Sequence, residues 1–125
     1  MIEKHYWKIK QAALNIDLCV VSKHHSIEEI QSYYDAGERI FAENRTAELV
    51  SKAAALPKDI AWHYIGHLQR NKVKDILPVV SCIQSLDNIA LAKVIEKEAT
   101  KLNRTVDVLI ELHLADEDTN KSGLD

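Results

Sequence analysis

Glycine is scarce in this chain, with three in 125 residues, and so are proline (two), cysteine (two) and phenylalanine (one). No GxGxxG or GxxxxGK string occurs, which excludes the phosphate-cradling loops of dinucleotide and nucleoside-triphosphate sites. GxSxG is absent too, which removes the serine-hydrolase elbow. The cysteines, Cys19 and Cys82, each lie in an apolar run without a partner at CxxC spacing. They are expected to be buried thiols, with neither a disulfide nor a metal site.

Charge of one sign is also lacking. Sixteen Lys+Arg face nineteen Asp+Glu, a net charge of −3 with no long block of either sign, so there is no basic footprint for nucleic acid. No apolar run approaches the ~20 residues of a bilayer span, and the first residues lack the apolar core and cleavage site of a secretory signal. The expectation is a cytoplasmic protein with no membrane association. Its hydrophobic content of 46% suits one globular domain over residues 1–125.

What is present is an alternation of short apolar runs and helical periods. Residues 16–22 read as a strand. Ser26 and Glu29 then have capping-box spacing for a helix that carries Ile27, Ile30 and Tyr34 inward and stops at Gly37. A second strand at 39–42 precedes a helix at 47–55, buried through Leu49, Val50, Ala53 and Ala54 and ended by Pro57. A third strand (61–65), a loop, a short helix (71–77) and a fourth strand (81–85) follow. Asp87 is the expected N-cap of a helix with Ile89, Ala92, Ile95, Ala99 and Leu102 at helical spacing, and 106–114 reads as a fifth strand.

Strands separated by helices predict an α/β fold with a parallel sheet. Two architectures fit. A flavodoxin-type open sheet needs about this length, whereas a full (β/α)₈ barrel needs about 250 residues, so length alone favours the open sheet.

In either architecture the carboxyl ends of the strands form the ligand face, and Lys23 follows directly on strand 1. Partial desolvation of an amine there frees the lone pair that attacks an aldehyde. A strand-end lysine is, taken alone, more often a surface residue with its stem packed and its head in water. Polar groups close the other strands as well: Glu43-Asn44-Arg45, then 66–69, Ser85 with Asp87, and 116–121. Asn44 and Ser85 serve equally well as turn or cap residues. His63 alternates with Trp62 and Tyr64 and points inward from strand 3, where a satisfied core histidine is the commoner case.

Specific strings narrow these readings. Val20-Val21-Ser22-Lys23, the run from Tyr34-Asp35-Ala36-Gly37 to Glu43-Asn44-Arg45, and Trp62-His63-Tyr64-Ile65-Gly66-His67-Leu68-Gln69-Arg70-Asn71-Lys72-Val73-Lys74 resemble the YggS/PROSC family of pyridoxal-phosphate homeostasis proteins. Ser85-Leu86-Asp87 and Asn120-Lys121-Ser122-Gly123-Leu124 continue the match in order. The resemblance implies a parallel (β/α) barrel of TIM type, similar to the N-terminal domain of alanine racemase and present here only as its N-terminal portion of about five βα units. It implies pyridoxal 5'-phosphate held by Lys23 as a Schiff base, with Asn44 of the ENR string near the cofactor ring. His63 and Ser85 join them on strand-end geometry and matching motif positions. Family members bind, buffer or deliver the cofactor and have no clear catalytic reaction.

A racemase-type enzyme is the alternative. It needs a second acid or base on the opposite face of the cofactor, and no residue here offers one. An open-sheet binding module without cofactor is the other, and strand order distinguishes it from a barrel. The departure from the family is length: five strands instead of eight, without the loops after strands 7 and 8 that commonly hold the phosphate. Weak or absent cofactor binding is therefore expected. Strands 1 and 5 are expected to expose unpaired edges, so that the chain either self-associates through them or is one piece of a longer product.

Overall fold

The computed structural model describes residues 2–112 and 114. Its elements run α1 (Lys4–Ala12), β1 (Val20–Val21), α2 (Ile27–Asp35), β2 (Ile40–Glu43), α3 (Thr46–Ala55), β3 (Ala61–Tyr64), a 3₁₀ turn (Arg70–Lys72) leading into α4 (Val73–Ile76), β4 (Val80–Leu86), α5 (Ile89–Lys101) and β5 (Asp107–Ile110). All strands are parallel and lie in the order β1-β2-β3-β4-β5. A doubly wound sheet reverses its order at a switch point, whereas sequential neighbours are the arrangement of a (β/α)₈ barrel. Strand order thus overturns the preference that length alone gave to the open sheet.

Local rules place several boundaries. The capping box starts α2: Ser26 Oγ accepts from the Glu29 amide at 3.1 Å, and Glu29 Oε1 accepts from the Ser26 amide at 3.2 Å. Gly37 follows at φ 114°, a conformation that glycine adopts without a Cβ clash. Asn88, not Asp87, caps α5, with its Oδ1 accepting from the Leu91 amide at 2.7 Å. Asp87 is instead buried and accepts from the Asn88 side chain.

Other expectations shift for tertiary reasons. Strand 1 shortens from 16–22 to Val20–Val21, the residues in register with Phe41 and Ala42 of β2, and Ile16 is exposed. Cys19 is exposed, so only Cys82 is a buried thiol. Along α3 the buried stripe is Leu49, Lys52 and Ala53, while Val50 and Ala54 face out. Leu102 is exposed at the end of α5. No element was expected near the N-terminus, yet α1 is anchored there by the buried Tyr6, whose hydroxyl donates to Glu38 at 2.8 Å. Strand 5 is trimmed to four residues, and the expected site groups at 116–121 lie outside the described residues.

Strand register sorts the side chains onto two faces, because successive residues alternate. Phe41 pairs with Trp62, their rings 6.0 Å apart, and both join Tyr64, Ile83 and the helices in the hydrophobic core. The opposite face carries the row Val21, Ala42, His63, Cys82 and Asp107. The core is therefore between sheet and helices, and the second face is the one a closed barrel turns inward.

Candidate functional site

At the carboxyl edge of β1 the Ser22 amide still bonds to the Ala42 carbonyl at 2.9 Å, so Ser22 is the last paired residue and Lys23 follows. Counting two residues on from Val21, Ala42 and His63 brings Lys23, Asn44 and Ile65 to one level at the strand ends. Lys23 is exposed in a turn closed by the His25 amide on the Ser22 carbonyl at 3.1 Å, with His24 in the left-handed region at φ 67°. A non-glycine residue there is strained, histidine less than most.

Asn44 is held through its backbone. Its carbonyl lies 3.1 Å from the Tyr64 hydroxyl, and Gly66 passes so close that an added Cβ would stand 2.3 Å from that same oxygen. The Asn44 side chain is left free: its Oδ1 is buried and has no partner. Ser85 lies within the register shift of β4, where Ile83 pairs with Val108 but Leu86 with Ile110. Ile83 and Leu86 both belong to the core, so the bulge places Gln84 and Ser85 together off the core face. The Ser85 Oγ is buried without a partner.

Among the described residues, the buried side-chain polar atoms lacking a partner are Asn44 Oδ1, Ser85 Oγ and Glu43 Oε1, all near the carboxyl ends of β2 and β4. An orphaned buried polar atom costs about 1–3 kcal/mol, which a polar ligand relieves. With the Lys23 amine at the same edge, Asn44 Oδ1 and Ser85 Oγ fit a small polar ligand that carries an aldehyde, whereas Glu43, two residues on from Phe41, lies on the core face.

His63 stands apart from this group. It lies one inward-facing residue below the strand ends, about 6.6 Å down the strand, half-buried and in register with Cys82. Burial lowers its pKa, with Asp107 opposing, so the imidazole is held toward its neutral form. Burial pushes the Cys82 thiol up. Among the described residues no group of three or more His, Cys, Asp or Glu could hold a metal, and no helix is long and apolar enough to cross a membrane.

Glu43 opens the ENR string, but its buried pairing with Lys52 escapes motif reading. Glu43, 0% exposed, accepts from Lys52 Nζ at 2.9 Å and from Ser22 Oγ at 2.5 Å. The sequence signal for the pairing is a lysine three residues after Leu49 on the buried stripe of a helix.

Five parallel strands in sequential order, with unpartnered polar groups at their carboxyl ends, define a partial (β/α)₈ barrel with a ligand face. Comparison with known proteins gives the family resemblance. The chain is 43% identical over 99 residues to the pyridoxal phosphate homeostasis protein of Aquifex aeolicus, covering 78% of this chain and 43% of that protein. It is 39% identical over 111 residues to the one from Synechocystis, covering 87% of this chain and 50% of the relative. Among solved structures, PipY of Synechococcus elongatus without PLP superposes with a TM-score of 0.88 at 34% identity, over 97% of this chain and 58% of PipY. PipY with PLP bound gives 0.86 at 29% identity, over 98% and 57%. No family model matches the chain. The resemblance in the VSK, ENR and WHxIGxLQxNKxK strings is thus to the pyridoxal phosphate homeostasis proteins, and it holds in sequence and in fold. The chain spans about half the length of the curated relatives it matches, 43% and 50% for these two.

Proposed function

We propose that this chain binds pyridoxal 5'-phosphate at the carboxyl ends of β1, β2 and β4, and that it serves the cell's handling of that cofactor without catalysing a reaction. The observation that carries the reading is the pairing of Lys23 with the orphaned Asn44 Oδ1 and Ser85 Oγ on one edge of the sheet. The cofactor supplies an aldehyde together with a polar ring. In this reading the Lys23 amine links to the aldehyde, Asn44 and Ser85 satisfy polar groups of the ring, and His63 closes the layer beneath. PipY, the structural neighbour, has been solved with PLP bound, which supports the choice of ligand. Two free cysteines, Cys19 and Cys82, support a reducing, cytoplasmic setting. The exposed Val108, Leu109 and Ile110 of β5, at one end of the strand order, support self-association through the sheet edge.

The test is titration with pyridoxal 5'-phosphate followed by absorbance, then borohydride reduction and peptide mass analysis. The cofactor's mass is expected on the Lys23 peptide and is expected to vanish in Lys23→Ala. Attachment at other lysines alone, or an unchanged signal in Lys23→Ala, overturns the reading.

A further inference from the structure

We infer that Glu43, Lys52 and Ser22 form a positioning unit that holds the Lys23 turn and Asn44 in place for the ligand; this rests on the proposed cofactor site. Lys52 Nζ donates to Glu43 Oε2 at 2.9 Å and to the Ser22 carbonyl at 3.1 Å. That carbonyl belongs to the peptide joining Ser22 to Lys23, and it also accepts from the His25 amide at 3.1 Å. One ammonium from α3 therefore fixes the plane from which Lys23 departs. Ser22 Oγ meets Glu43 Oε2 at 2.5 Å, so the ends of β1 and β2 are joined by side chains as well as by the ladder. Asn44 follows Glu43 directly at the end of β2.

Stability does not account for this unit. The Lys52 side chain is 10% exposed and the Glu43 side chain 0%, and a buried ion pair is often no more stabilising than apolar residues of the same volume. Glu43 Oε1 is even left without a partner. Meanwhile the adjoining turn carries a left-handed His24, a conformation that persists only where its surroundings impose it. Charge at this point holds a strained turn that an apolar pair would release.

The experiment uses the full chain with Glu43→Leu/Lys52→Met, Ser22→Ala and Glu43→Gln. The double variant is expected to keep a urea midpoint at or above the parent's. Its affinity for pyridoxal 5'-phosphate is expected to fall about tenfold or more, and its His25 amide to exchange about tenfold faster while β3 amides do not change. Glu43→Gln keeps an acceptor for Ser22 and Lys52 and is expected to restore affinity to within about threefold of the parent. Ser22→Ala carries the same readouts if the double variant fails to fold. Parent-like affinity and parent-like His25 exchange in the double variant and in Ser22→Ala would overturn the inference. If the parent takes no cofactor on Lys23, the cofactor reading falls, and His25 exchange alone decides whether the unit holds the turn.

Discussion

Gln84 Nε2 lies 2.8 Å from His63 Nδ1, across from β4 to β3 on the face turned away from the helices. The amide donates and the imidazole accepts, so this contact requires the neutral ring, and burial favours that form as well. His63 is therefore a satisfied residue beneath the strand ends.

That geometry sets a pH dependence. The folded-state pKa of His63 is lowered, so the unfolded chain binds the extra proton first. Its contribution to stability is present above the unfolded value of about 6.5 and is lost as pH falls from there through the lower folded pKa. Urea midpoints measured from about pH 7 down to about pH 5 are expected to decline, and His63→Gln is expected to flatten that decline. An equally steep decline in His63→Gln would assign it to other groups.

Tyr6 gives the opposite window. Burial, and then the hydroxyl's bond to Glu38, push its pKa up to about 12 from 10.0. The neutral phenol is the folded form, so its stabilisation holds below the unfolded pKa and is lost as pH rises through the folded one. Tyr6→Phe is expected to cost about 1 kcal/mol at neutral pH and to remove the Tyr6 share of alkaline destabilisation. Thermal denaturation of both proteins on each side of pH 10 checks this.

Gly66→Ala is expected to lower stability by about 1–3 kcal/mol, because the new Cβ would stand 2.3 Å from the Asn44 carbonyl oxygen and backbone must move. The shift displaces the Asn44 side chain, so weaker binding of pyridoxal 5'-phosphate is expected alongside the lower urea midpoint. A variant with parent stability would show that the loop after β3 gives way freely.

Ile110 is 60% exposed on β5, at the end of the sheet. Ile110→Lys places a charge on that apolar edge and is expected to shift the protein toward monomer in light scattering, with little loss of stability. A parent that is already monomeric at every concentration removes the self-association proposal.

Much of this was legible from sequence because it depends on neighbours along the chain. Ser26 and Glu29 announce the start of α2, and Gly37 its end. The partners of Ser26 lie three residues away, so no folded context is needed to see them. Cys19 illustrates the limit: its apolar run reads as core, but β1 stands at one end of the strand order and the residue is exposed. Lys52 illustrates it again. On a helix wheel it spoils a buried stripe, and only the approach of Glu43 and Ser22 from two strands makes its burial tolerable.

The sequence by itself determined the succession of strands and helices from β1 onward, the lysine that follows β1 and the strings that tie the chain to its relatives, since periodicity, caps and motifs are properties of short stretches. Tertiary structure alone decided that the five strands lie in sequential order, that Asn44 and Ser85 are left with unpartnered atoms while His63 is satisfied, and that a buried charge pair stands behind Lys23. The reason is physical: strand order, burial and hydrogen-bond partnership are set by contacts between residues far apart in the chain, and no local pattern encodes which of them meet.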